Sequence, residues 1–230
     1  MNLAVLQGLG DALDAAASDD RVAAVVLTGA GDRAFCAGLD LRAFATEGIE
    51  VSDEVTGGFR RLFRERYPKP LVAAANGHVI AGGFEVLLRC DLVVAAEHAE
   101  FGLPEAARGL VAGAGVSILP RRIPMALVLE LGIVGSRITA RRAHELGLVN
   151  RVVPRGGALD EALGLAHQIA RNGPLAVRLT RELAYAEEDA IAADTWRRID
   201  AAVETAMTSA DAQEGARAFV EKRAPHWTGR

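Results

Sequence analysis

The chain has 230 residues, half of them hydrophobic and 24% charged, with a formal net charge of −4. That length carries one domain with a sizeable core, and the charge total argues against a nucleic-acid surface or a basic membrane-binding face. The cations are nearly all arginine, since Lys69 and Lys222 are the only lysines, and the two cysteines, Cys36 and Cys90, form neither a disulfide framework nor a CxxC metal pair. They read as reduced and mostly buried thiols. The opening string MNLAVLQGLGDALD lacks the basic start and apolar run of a signal peptide. No apolar stretch approaches the ~20 residues that span a bilayer. A cytoplasmic, reducing compartment is therefore expected.

Leu3, Leu6, Leu9 and Leu13 fall at helical spacing and predict an amphipathic first helix. Val22–Thr28 is an aliphatic run ending in Gly29-Ala30-Gly31 and predicts a buried parallel strand with its turn. A polar loop follows. Residues 52–67 predict a helix ending before Pro68. Leu71–Ala75 predicts a second buried strand stopped by Asn76-Gly77, Gly82-Gly83 opens a helix to about Leu88, and Asp91–Ala96 predicts a third strand. Gly113–Leu119 reads as a helix start, and Thr139 as the N-cap of a helix over 140–146 closed by Gly147. Val149–Val153 predicts a last short strand. From about 159 to 222 the pattern is helical, broken at Asn172-Gly173-Pro174 and at Ser209. Strands alternating with helices give an α/β class with a stacked parallel sheet and a helical C-terminal part, divided as 1–155 and 156–230.

Three strings carry candidate chemistry. In NGHVIAGGFEVLLRCD, residues 76–91, strand, turn, glycine pair and helix follow in order. The first turn of a helix has unpaired N–H donors and a positive partial charge. Gly82 and Gly83 lack Cβ atoms, so a ligand oxygen can approach the backbone closely. Glu85 stands in that first turn, where a carboxylate suits proton transfer. The same string also fits plain helix–strand packing with an acidic helix start. The loop FCAGLDL, residues 35–41, follows a strand, where α/β folds bind ligands, although most loops are connectors. Pro104-Glu105 puts a second carboxylate on a backbone-exposed segment. Gly113-Ala114-Gly115 is not a dinucleotide fingerprint, because no strand runs into it and no matching acid lies ~20 residues on. His78, His98, His144, His167 and His226 have no metal-ligand spacing and read as structural or surface residues, with His78 close to the candidate site. Trp196 and Trp227 read as packing residues.

Taken together, these strings resemble the crotonase (enoyl-CoA hydratase/isomerase) superfamily from near residue 1 to the C-terminus. FCAGLDL is similar to that family's first oxyanion loop, and AANGHVIAGGFEVLLRCDLVVAAEHAEFGLPEAARGL to its signature. ITARRAHELGLVNRVVP and EGARAFVEKRAPHWTG are similar to the segment that follows and to the C-terminal tail. The resemblance implies a crotonase spiral of repeated ββα units in two sheets, with a C-terminal α-helical trimerisation region, assembled as a homotrimer or a dimer of trimers.

It also implies roles for named residues. The backbone N–H groups of Leu39 and Gly82 would form the oxyanion hole for the thioester oxygen, each donor contributing about 3–4 kcal/mol in the transition state. The Leu39 side chain would then be incidental. Glu85 and Glu105 would hold one water, with Glu105 donating a proton to Cα and Glu85 activating the water; Gly113 would contact that water. Coenzyme A would lie along Ala37, Asp40, Leu41 and Arg42, with Phe219 and Lys222 reaching it from a neighbouring subunit. No metal or cofactor is implied, since coenzyme A is part of the substrate. Segment 42–67 would shape the acyl pocket.

The match departs from the family at three places. About 25–30 residues of the usual N-terminal strands have no counterpart, which implies an exposed sheet edge. Val116-Ser117-Ile118-Leu119 replaces a polar run, and Ala112 a common proline. The expected activity is hydration of trans-2-enoyl-CoA. An isomerase, another thioester-enolate enzyme or a non-catalytic acyl-CoA-binding protein are the alternatives.

Overall fold

The computed structural model describes residues 1–43, 53–189 and 193–229. Helix α1 (Leu3–Ser18) is capped by the Asn2 side chain, which accepts from the Val5 N–H. Its stripe buries Leu6 and Leu13 and leaves Leu3 exposed. After α1 the chain lays its first six strands alternately into two sheets. β1 (Val25–Thr28), β3 (Leu71–Ala75), β5 (Leu92–Ala96) and β8 (Arg151–Val153) form the first sheet in that order, all parallel. β2 (Ala34–Cys36), β4 (His78–Ile80), β6 (Glu100–Gly102) and β7 (Arg137–Thr139) form the second, with only β6–β7 antiparallel. Between β3 and β4 there are only Asn76 and Gly77.

Helices close the turns of this spiral. α2 (Asp53–Arg64) precedes β3, and α3 (Gly82–Leu88) leads from β4 towards β5. A 3-10 turn (Glu105–Arg108), α4 (Gly113–Ile118) and α5 (Met125–Leu129) lie between β6 and β7. α6 (Ala140–Glu145) joins β7 to β8, and Thr139 caps it as predicted, accepting from the Arg142 N–H. The last four helices are α7 (Ala158–Ala170), α8 (Pro174–Asp189), α9 (Ala193–Met207) and α10 (Ala210–Glu221). The predicted breaks hold: α8 starts at Pro174, and Ser209 caps α10 by accepting from the Ala212 N–H. This is the expected crotonase-type spiral.

The first sheet is buried on both faces, which is why its strands read as unbroken aliphatic runs. Leu71, Ala73 and Ala75 enter the main core, whereas Val72 and Ala74 meet Ala158, Ala162 and Leu165 of α7 on the other side. Phe84 of α3 and Phe101 of β6 are fully buried and pack edge to face at 5.6 Å, fixing α3 over β6. Burial of such side chains contributes about 1.5–3 kcal/mol each. β1 and β2 are edge strands of their sheets.

Several expectations need correction. The strands begin later than expected, at Val25, Leu92 and Arg151, where their ladder registers start; Asp91 and Asn150 just before them bond to the neighbouring strand through their side chains as well as their backbone. The second sheet was expected only from the family resemblance; its three-residue strands are too short to show a period and were not read from the residues. Trp196 packs on the core, but Trp227 is 46% exposed and does not pack there. Of the segment expected to shape the acyl pocket, residues 44–52 lie outside the described residues. Among the described residues, no helix is long and apolar enough to cross a membrane.

Candidate active site

Two backbone loops meet at the start of α3. Gly38 has φ +84, and a Cβ there would lie 2.6 Å from Ala81 Cβ and 3.2 Å from Gly82 N. Only glycine lets the loop after β2 come this close. Ala81 itself sits at φ 55, ψ −133, a strained backbone for a residue with a side chain. The glycine pair divides its labour. A Cβ on Gly83 would fall 2.2 Å from the Cys36 carbonyl oxygen, so Gly83 permits packing of α3 on β2. A Cβ on Gly82 would instead face Met1 Cε at 3.0 Å, Gly38 Cα at 3.7 Å and Glu85 Oε2 at 3.9 Å. Gly82 therefore borders the space in front of Glu85. Among the described residues, neither the Leu39 N–H nor the Gly82 N–H has a backbone partner outside its own element.

Asn76 was not singled out from the sequence, yet it holds this arrangement. It is buried, its Nδ2 donates to the carbonyls of Gly29 (2.9 Å) and Gly31 (2.6 Å), and its Oδ1 accepts from the Gly29 N–H (3.0 Å). One side chain thereby ties the β3–β4 turn to the turn that launches β2 and the Gly38 loop. An asparagine between a strand and a glycine signalled only a turn.

The two glutamates approach from different elements. Glu85 projects from the first turn of α3, and its Oε1 accepts from the Gly115 N–H at 2.8 Å. Burial pushes its carboxyl above the ordinary range, while the N–H groups of Gly115 and Ala114 pull the other way by favouring the charged form. Glu105 opens the 3-10 turn after Pro104, and its Oε2 is buried without a protein partner. Burial, and then the nearby charge of Glu85, push the Glu105 carboxyl up to about 8. The two N–H donors favour a charge on Glu85, and a charge there favours the proton on Glu105.

The segment 113–115 completes the enclosure. Ala114 and Gly115, rather than Gly113, supply N–H groups to Glu85. A Cβ on Gly113 would lie 2.8 Å from Val203 Cγ2 and 2.9 Å from Ile199 Cγ2, so α9 closes over this glycine. The Leu39 side chain is not incidental: it packs with Leu110, Met207, Ala212 and Ala216, tying the first loop to α10. α10 also lies backbone to backbone on the Glu105 turn, because a Cβ on Gly215 would fall 2.2 Å from the Arg108 carbonyl oxygen.

The structure thus brings Gly38–Leu39, Gly82, Glu85, Glu105 and the Gly113 segment together. The other predicted residues lie elsewhere. Asp40 accepts from the N–H groups of Arg42 and Ala43 and caps the turn that carries Leu41 and Arg42. Ala37 borders a recess of about 420 Å³ with Arg33, His78 and Arg137. His78 Nδ1 lies 3.7 Å from Glu100, which places it with that recess rather than beside the carboxyl pair. Phe219 and Lys222 border a separate recess of about 260 Å³ with Arg108 and Arg223, and the Arg108 guanidinium stacks on the Phe219 ring. Within one chain this recess shares no residue with the loop at 37–42. His98 Nε2 lies 2.8 Å from the Asp32 carbonyl oxygen and His144 Nδ1 2.7 Å from that of Val149, both structural contacts.

The family model for enoyl-CoA hydratase/isomerase matches residues 1–230. Carnitinyl-CoA dehydratase of Proteus mirabilis (strain HI4320) is 39% identical over 219 residues, covering 92% of this chain and 84% of that protein. The Salmonella typhi protein of the same name is 38% identical over 228 residues, covering 96% and 87%. Among solved structures, carnitinyl-CoA hydratase from Mycobacterium avium has a TM-score of 0.90 at 41% identity, covering 100% of this chain and 90% of that one. Enoyl-CoA hydratase from Mycobacterium tuberculosis H37Rv has a TM-score of 0.75 at 44% identity, with the same coverages.

Proposed function

This chain belongs to the enoyl-CoA hydratase/isomerase family, and on that premise we propose that it adds water across the 2,3 double bond of a trans-2-enoyl-CoA. The observation that carries this reading is the carboxyl pair: Glu85 held under the Gly115 and Ala114 N–H groups, and Glu105 buried nearby with its carboxyl pushed up to about 8 by burial and by the Glu85 charge. An isomerase needs one acid–base group. A hydration needs one group to take a proton from water and another to deliver a proton to carbon.

The thioester oxygen takes the Leu39 and Gly82 N–H groups, which stabilise the charge that develops on it. A water held between the carboxyls adds its oxygen to Cβ while Glu85 accepts its proton. Glu105 delivers its proton to Cα. The pair ends with the proton on the other member and resets by exchange with solvent. Coenzyme A runs past Ala37, Asp40, Leu41 and Arg42, and Phe219 and Lys222 of a second copy complete its site in a trimer or a dimer of trimers.

The test is hydration of crotonyl-CoA, followed as loss of conjugated-thioester absorbance. Wild-type turnover with a drop of 10²-fold or more in Glu85→Gln and in Glu105→Gln supports the reading. Wild-type turnover that survives either substitution removes that residue from the mechanism. Acyl-CoA binding without turnover turns the protein into an isomerase or a binding protein. The names of the relatives favour a second reading on the same chemistry run in reverse, dehydration of carnitinyl-CoA.

A further inference from the structure

We propose that Met1 is a specificity-determining residue: its terminal methyl walls the space in front of Gly82 and Glu85 and disfavours acyl thioesters branched at Cα. This deepens the hydratase reading above and rests on it.

Two backbone directions set the frame. A peptide unit is planar and trans, so its N–H points opposite to its C=O. The Gly38 carbonyl accepts from the Met1 nitrogen, so the Leu39 N–H of the same unit points away from Met1. The Met1 carbonyl in turn accepts from the Asp40 N–H at 2.9 Å. Residue 1 thus spans Leu39 in the pattern of a parallel strand pair, with its nitrogen and its carbonyl both held. On the other loop, the Ala81 carbonyl accepts from the N–H groups of Phe84 (2.7 Å) and Glu85 (3.1 Å). That carbonyl points along α3, so the Gly82 N–H points back out of the helix start.

The anchored backbone of residue 1 delivers its side chain to the site. Met1 Cε lies 3.0 Å from the point a Gly82 Cβ would occupy, and Glu85 Oε2 lies 3.9 Å from the same point. The Met1 methyl and the Glu85 carboxyl therefore border one space, over Gly82. A thioester oxygen taken by the Gly82 N–H brings its carbonyl carbon, and Cα next to it, to that space. A hydrogen on Cα leaves the Met1 methyl undisturbed. A methyl on Cα needs the room that Cε fills. The thioether chain is flexible and can yield, so a branched thioester is disfavoured by degree. The two backbone bonds keep the side chain from leaving altogether.

The experiment compares hydration of crotonyl-CoA and of 2-methylcrotonyl-CoA by the wild type, Met1→Ala and Met1→Leu, each released from a fusion partner cleaved directly before residue 1. The wild type should favour crotonyl-CoA. Met1→Ala should move the ratio of kcat/KM values towards the branched thioester by about tenfold, the scale of one small apolar group in a pocket. Met1→Leu fills similar room and should keep the wild-type ratio. Equal use of both thioesters by the wild type, or an unchanged ratio in Met1→Ala, overturns the proposal. If the wild type hydrates neither, the hydratase reading fails, and calorimetric affinities of butyryl-CoA and 2-methylbutyryl-CoA for wild type and Met1→Ala decide the Met1 assignment by the same ratio. Near-UV circular dichroism identifies a variant that has lost its fold, in which case Met1→Val is read in place of Met1→Ala.

Discussion

Glu105→Gln should destroy activity and raise stability together. The Glu105 carboxyl titrates at about 8 in the fold against an ordinary 4.5. A folded group that holds its proton more tightly than the unfolded one makes the fold lose stability as pH rises from 4.5 towards 8. Each pH unit in that window costs about 1.4 kcal/mol, so the wild type gives up roughly 3 kcal/mol by pH 7. Glutamine has nearly the same shape and cannot ionise in either state. The substitution should therefore raise unfolding free energy by about 2–3 kcal/mol at pH 7 and by almost nothing at pH 4.5. Urea unfolding at several pH values, with the midpoint read at constant slope, measures this directly. A gain that is the same at pH 4.5 and 7 would mean that Gln acts through shape. No gain at pH 7 would show that Glu105 is ionised in the fold, and the proton-donor role would go with it.

Four further outcomes follow from the same geometry. Hydration activity should be flat through neutral pH and fall above about 8, as Glu105 loses the proton it donates; a pH–rate profile of kcat/KM checks this. Asn76→Ala leaves the part-buried carbonyls of Gly29 and Gly31 without their donors and should lower stability by about 1–3 kcal/mol, with activity lost alongside, as read by urea midpoint and turnover. Gly82→Ala should fold normally yet lose at least about 10²-fold in kcat/KM, because its Cβ enters the space between the Gly38 loop and Glu85; Gly83→Ala should fail at the folding step, because its Cβ meets the Cys36 carbonyl. Ala81→Gly should gain about 1 kcal/mol in thermal or chemical unfolding, by releasing a backbone at φ 55.

The first sheet was legible because burial on both faces writes continuous aliphatic runs such as Leu71–Ala75 and Leu92–Ala96. The second sheet was legible only through the family resemblance, since Ala34–Cys36, His78–Ile80 and Glu100–Gly102 hold too few residues for any periodicity. The site divides in the same way. Gly82, Glu85 and Glu105 announced themselves locally, as a helix start and an acid after proline. Their convergence is a long-range fact, carried to this point by the motif resemblance alone. What the sequence concealed were the supports: the side chain of Asn76 reaching across 47 residues to Gly29, the Leu39 side chain on α10, and the Arg64–Asp200 pair across 136 residues. Nothing in a local string marks which of many asparagines, leucines or arginines will be spent in this way.

The Leu39 contact also sets a schedule for the protein's birth. The Leu39 loop emerges from the ribosome well before its packing partners Ala212 and Ala216. The backbone of Gly215, which braces the Glu105 turn, arrives with them. During synthesis at about 5–20 residues per second, the spiral can coil while its chemistry stays unassembled. A chain lacking α10 would hold both carboxyls without the contacts that brace the Leu39 loop and the Glu105 turn.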